Sequence, residues 1–140
     1  MKTSITPSEF AKFLQEEGYK AKVEQDEDGD TTIRSSSSGF NWSVDFGSGD
    51  EDVSRFTFTY LSWIKDSSNV ARVCNEFNRR SLVGVAWHRD EPDKDGDLLV
   101  VLQFHVNLSG GVTDLYLQEL ASRFDAGTNI FLQVYKELES

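Results

Sequence analysis

Only one cysteine, Cys74, stands among the 140 residues, with one methionine, two prolines and two histidines. A lone thiol excludes an intrachain disulfide framework and fits a reducing compartment. Long apolar runs are missing too. The longest, Leu98 to Leu102, has five residues, against the roughly 20 a membrane-spanning helix needs. No basic stretch followed by an apolar one opens the chain, because Met1-Lys-Thr-Ser-Ile-Thr-Pro leads straight into a helix signal; a cytoplasmic location is expected. Bases are scarce, 14 against 24 acids for a net charge of −10. They form no patch, which argues against nucleic acid as a partner.

What is present is enough for a packed core. Ten Phe, four Tyr and three Trp supply large apolar areas, and the length suits one domain, residues 1–140. The acids are clustered: four in 26–30, three in 50–52 and five in 90–97, half of the total. Such clusters at loop tips keep a surface solvated, or form an acidic rim that attracts a basic partner.

Thr6-Pro-Ser-Glu9 is a capping box with proline at the first helical position, and Phe10, Phe13 and Leu14 continue as an apolar stripe, predicting a helix over about 7–17. Tyr19 to Gln25 alternates as a half-buried strand. The turn at Asp28-Gly29 can be argued from register. A two-residue loop splits Val23 and Ile33 between faces, whereas a three-residue loop, Glu27-Asp28-Gly29 with Gly29 left-handed, sets them opposite each other. Thr31 to Ser35 is the return strand. Phe40, Trp42, Val44 and Phe46 follow at period two, and Arg55 to Trp63 alternates again.

Asp66-Ser-Ser-Asn69 offers caps for a helix with apolar side Val70, Val73, Cys74 and Phe77, ending near Arg80. Strands are expected over Leu82 to His88 and Asp97 to Asn107. Thr113-Asp114 caps a long last segment with Leu117, Leu120, Phe124, Phe131, Val134 and Leu138, in which Gly127 leaves open one helix or two. Its stripe is either core or a dimer seam. Taken as helix, three strands, helix, two strands, helix, the order is α+β, with an antiparallel five-stranded sheet.

Few constellations suggest chemistry. Counted as calcium loops from Asp26 or Asp93, the acidic turns put glycine fourth instead of sixth and end at Ser37 or Phe104 in place of glutamate. No Gly-x-Ser-x-Gly elbow and no phosphate-binding glycine loop occurs. Cys74 lies on an apolar helix face as a small hydrophobe. If Trp87 and Phe104 face the core, His88 and His105 share the opposite sheet face, where they could serve a small metal-sensing or enzymatic domain, although no third ligand is apparent. No catalytic, cofactor or metal residue is assigned.

One sheet face is expected to carry Phe40, Trp42, Val44, Phe46, Phe56, Phe58, Tyr60, Val83, Val85, Trp87 and the even-numbered residues 98–104. The opposite face still holds Leu61, Trp63, Leu82, Ala86, Leu99 and Val101, more apolar than a solvated face usually is. Either a helix or another chain covers it.

The layout resembles the YbjN family, proposed regulators of bacterial sensory transduction, whose fold is similar to that of type III secretion chaperones. The resemblance spans about residues 8–138. It rests on Leu14-Gln-Glu-Glu-Gly-Tyr19, the Asp28-Gly29 hairpin, Asn75-Glu-Phe-Asn78, Asp95-Gly96 before the Leu98 to Val106 strand, and Gly110-Gly-Val-Thr113. It implies a non-enzymatic, homodimeric domain that binds protein segments or regulates, without cofactor, and it carries over no catalytic residue. Asn75 and Asn78 match its helix motif, where an amide could satisfy backbone groups of the next strand.

Overall fold

Thr6 starts the first helix by the predicted exchange. Its hydroxyl accepts the Glu9 N–H at 3.1 Å, and the Glu9 carboxylate accepts the Thr6 N–H at 3.3 Å, opening α1 (Pro7–Glu16). The same bond from Thr6 holds the Glu9 carboxyl below its ordinary pKa. Asp50, distant in sequence, adds its carboxylate to the helix start, accepting the Ser8 N–H and hydroxyl at 3.2 and 2.9 Å. Negative charge is favoured there. The structure is a computed structural model that describes residues 1–65, 69–81 and 83–139.

The strands are β1 (Lys22–Gln25), β2 (Asp30–Ser37), β3 (Phe40–Ser48), β4 (Arg55–Lys65), β5 (Val85–His88) and β6 (Asp97–Asn107), and the later helices are α2 (Val70–Arg80) and α3 (Asp114–Glu139). They build one antiparallel sheet in the order β1-β2-β3-β4-β6-β5. The α+β class stands, with six strands rather than five, because each of the four extended segments ahead of α2 pairs as a separate strand. The first hairpin has the argued register: Val23 lies opposite Ile33, and Gly29 sits at φ +84°.

The two acidic turns are built alike. Asp26 Oδ1 accepts the N–H groups of Asp28 and Asp30 at 2.9 and 2.8 Å, and Asp93 Oδ1 accepts those of Asp95 and Asp97, both at 2.9 Å. Gly29 and Gly96 take the left-handed residue of each turn. Aspartate is favoured in such turns because it bonds its own backbone two residues on. The sequence echo between the two stretches is therefore an echo of turn chemistry.

All three helices pack on one face of the sheet. Phe10 and Leu14 of α1 and Leu117, Leu120 and Phe124 of α3 bury against Ile33, Trp42, Val44, Phe56 and Phe58. A second cluster joins Val73, Cys74 and Phe77 of α2 and Phe131 and Val134 of α3 to Ile64, Ala86, Leu98, Val100 and Leu102. The stripe of α3 is thus committed to its own core. The helix runs unbroken through Gly127, where a Cβ would lie 3.2 Å from the Val83 carbonyl oxygen. Glycine there permits close packing and does not end the helix. Thr113 caps α3 as expected, its hydroxyl accepting the Tyr116 N–H at 3.1 Å. Of the cap expected for α2, Asp66, Ser67 and Ser68 lie outside the described residues. Asn69 is the N-cap, and its amide donates to the Leu138 carbonyl at 3.0 Å, tying the start of α2 to the end of α3.

Candidate interaction surface

With the helices on one side, the other face of β4, β6 and β5 lies open. Register arranges it in rows. Thr59, Gln103 and Val85 form one, and Leu61, Val101 and Trp87 the next; Trp63 and Leu99 form a third, extended by Arg89, whose N–H donates to the Leu99 carbonyl at 3.0 Å. Leu99 and Val101 sit on the central strand and are 5% and 4% exposed, flanked by both neighbours. Leu61, Trp63, Val85 and Trp87 remain 54%, 53%, 40% and 44% exposed. Toward β3 the face turns polar: the Asp45 carboxylate accepts the hydroxyls of Thr32 and Thr59 at 3.2 and 3.0 Å.

This corrects the expected face of β5. Ala86 is 3% exposed and belongs to the helix-side core, whereas Val85 and Trp87 face outward. The cause is Gly84, at φ +85°. It interrupts the alternation, so Val83 lies against Gly127 of α3 while Val85 takes the other face. Only glycine fits, since a Cβ at position 84 would lie 2.7 Å from the Gln103 carbonyl oxygen. The strand therefore begins at Val85 rather than Leu82, and Leu82 itself lies outside the described residues. Of the surface named from sequence, the structure brings Leu61, Trp63, Leu99 and Val101 together, moves Ala86 inside, and adds Val85 and Trp87.

The same change of phase separates the histidines. His88 pairs with Val100 on the helix side, and its Nδ1–H donates to the Arg89 carbonyl at 2.8 Å; His105 pairs with Thr57 on the outer face, where Nδ1 and the Thr57 hydroxyl are 3.0 Å apart. A shared site for the two is overturned by the sheet between them. Among the described residues, no three His, Cys, Asp or Glu side chains gather as metal ligands. Cys74 is 4% exposed, and burial pushes its thiol up to about 11. It packs as a small hydrophobe. Asn78 performs the backbone role foreseen for the helix asparagines, bonding both main-chain polar groups of Ala86.

Two concavities border the apolar strip. The β3–β4 ladder stops at Ser43 opposite Thr59, although β4 continues to Lys65. The strands splay beyond that point and leave a cavity of about 380 Å³, lined by Arg34, Asn41, Ser43, Thr59 and Leu61 among others. A cleft of about 470 Å³ lies at the other end, between Trp63 and the β5–β6 hairpin, lined by Arg89, Asp90, Glu91, Pro92 and Asp93. Neither was legible from sequence, because one depends on where β3 leaves β4 and the other on where the β5–β6 hairpin lies. No helix of the described residues is long and apolar enough to cross a membrane.

The architecture has solved counterparts. "Crystal structure of YbjN, a putative transcription regulator from E. coli" superposes with a TM-score of 0.60 at 12% identity, covering 90% of this chain and 88% of that one. "Crystal structure of an uncharacterized protein from Methanothermobacter thermautotrophicus" gives 0.55 at 12% identity, covering 91% and 95%. At such identity these likenesses concern the fold. No curated protein matches the sequence. The family comparison reaches further, since residues 6–139 match the model described as "YbjN: Putative bacterial sensory transduction regulator". That span takes in every helix and strand described above, and the chain belongs to the YbjN family.

Proposed function

We propose that the chain is a non-enzymatic regulatory module that binds protein through the uncovered face of its sheet, on a framework similar to that of secretion chaperones. One observation carries the reading. Two tryptophans and a leucine stand about half exposed, side by side over a buried central strand, on a face no described element covers. Tryptophan is the side chain most enriched where partners dock, because its broad ring contributes much contact area at little conformational cost. The regulatory part of the reading is supported by the family's description as a sensory transduction regulator.

Self-association is the simplest form of this activity. Light scattering over a concentration series is expected to give a mass twice 15.8 kDa, and Trp63→Asp is expected to halve it while leaving the fold intact, as read by circular dichroism. A dimer that survives Trp63→Asp overturns the face as the dimer surface. A monomer at all concentrations moves the occupant of the face to another protein.

A further inference from the structure

The outer face has a backbone edge as well as a side-chain surface. Ala86 turns its N–H and C=O away from β6, toward Asn78. Main-chain groups alternate in direction along an antiparallel strand, so β5 bonds β6 through Val85 and Trp87, and the Arg89 N–H on the Leu99 carbonyl continues the series. It follows that β6 turns Leu102, Val100 and Leu98 toward β4, where their partners are Tyr60, Ser62 and Ile64. The N–H and C=O groups of Leu61, Trp63 and Lys65 therefore point the other way, toward β3. But β3 has already left: its last registered pair with β4 is Ser43 opposite Thr59. From Leu61 to Lys65, β4 has no strand neighbour on that side among the described residues, although the next strand in the sheet order is β3.

We propose that this half of β4 takes up an extended segment of another protein as an added strand, with a Lys or Arg of that segment held between Trp63 and the acidic side chains of the β5–β6 hairpin. The inference rests on the protein-binding reading above and names its partner. Three observations converge on it. An unpaired strand edge is a template for main-chain pairing, which supplies affinity, while alternate side chains supply specificity. The side chains beside this edge alternate between the apolar outer strip, at Leu61 and Trp63, and the buried Ile64, so they call for an apolar alternating segment. Past Trp63, the cleft sets Asp90, Glu91 and Asp93 against the single base Arg89, and among the described residues neither Asp90 nor Glu91 enters a salt bridge. An indole face beside carboxylates suits a cation. A second copy can lie against the apolar strip but is a poor source of this added strand and its cation, because it brings the same acids and a net charge of −10.

The test uses the full chain and a short synthetic peptide alternating Val and Thr, with two Lys at one end, followed by backbone amide shifts. Perturbation is expected along Leu61 to Lys65 and at Asp90 and Glu91. N-methylation of the alternate peptide residues that face β4 is expected to cost about tenfold in affinity or more, the equivalent of one or two main-chain hydrogen bonds. Replacing the two Lys by Glu is expected to weaken binding about tenfold, and Asp90→Asn with Glu91→Gln to remove that preference. Equal affinity for the peptides N-methylated on either edge overturns strand addition, and equal affinity for the Lys and Glu peptides overturns the basic anchor. Absence of any binding overturns the whole inference. The protein-binding reading then stands if Trp63→Asp still changes the solution mass, and falls with it if the mass does not change.

Discussion

Asn78 holds Ala86 by both of its main-chain polar groups: the Asn78 amide donates to the Ala86 carbonyl at 3.0 Å, and the Ala86 N–H donates to Asn78 Oδ1 at 2.7 Å. A side-chain amide on a helix thereby stands in for a seventh strand at the outer edge of β5. The arrangement protects one exposed edge of the sheet, where unpaired groups would otherwise recruit another chain. It also fixes β5 against α2, and with it the position of Trp87.

Asn78→Ala is expected to destabilise the fold by about 1–3 kcal/mol, because it leaves the Ala86 groups with water at best. The sharper readout is local. Hydrogen exchange at the Ala86 amide is expected to accelerate more than at Val85 and Trp87, which remain bonded to β6. Asn78→Asp is expected to keep the Ala86 amide slow to exchange yet not to restore the lost stability, since a carboxylate accepts the Ala86 N–H but faces the carbonyl without a donor. An Ala86 amide exchanging equally slowly in wild type and Asn78→Ala would show that the clamp holds nothing.

The two faces of β5 give a paired prediction. Ala86 is 3% exposed inside the second core cluster and Trp87 is 44% exposed on the open face. Ala86→Asp buries an unpaired charge and is expected to cost more than about 3 kcal/mol, enough to unfold a marginal domain. Trp87→Asp loses a hydrogen bond to Gln103 at 3.0 Å and is expected to cost about 1 kcal/mol. Denaturant unfolding of both variants checks the order. The reverse order would restore the phase that hydrophobicity alone suggests.

That phase marks the limit of what was legible. Elements with strong local chemistry read through: the Thr6–Glu9 capping box, the left-handed Gly29 turn with Val23 opposite Ile33, and the period-two run from Phe40 to Phe46. Each is decided within a few residues of itself. The face of β5 is decided elsewhere, by the approach of the Gln103 carbonyl to Gly84 and by an asparagine on α2. A strand of four residues carries too few positions to outvote them. Gly127 is similar. The helix runs through it, and the glycine serves the close approach of Val83, a contact no helical periodicity encodes. The apolar residues of the candidate surface on β4 and β6 were legible because long strands keep their alternation. The two concavities beside them arise from where β3 leaves β4 and where the β5–β6 hairpin folds over Trp63.

Cys74 supplies a prediction with a definite sign. The thiol is 4% exposed between α2 and the sheet, and desolvation raises it from its ordinary 9.0 to about 11. Thiolate is the reactive form, so an alkylating reagent at pH 8 is expected to label Cys74 only at the rate of unfolding, and at once in denaturant. The same shift couples stability to pH. A group whose folded pKa is raised holds its proton more tightly in the native state, so its contribution is fully present below about 9 and is lost as pH rises toward 11. Cys74→Ala is expected to lower stability at neutral pH, where a small buried side chain has been trimmed, yet to flatten the decline of stability between pH 9 and pH 11 relative to wild type. Urea midpoints measured across that interval decide it. Parallel curves for wild type and Cys74→Ala would mean that the thiol titrates as it does in water and that its surroundings are wet, contrary to the core in which it sits.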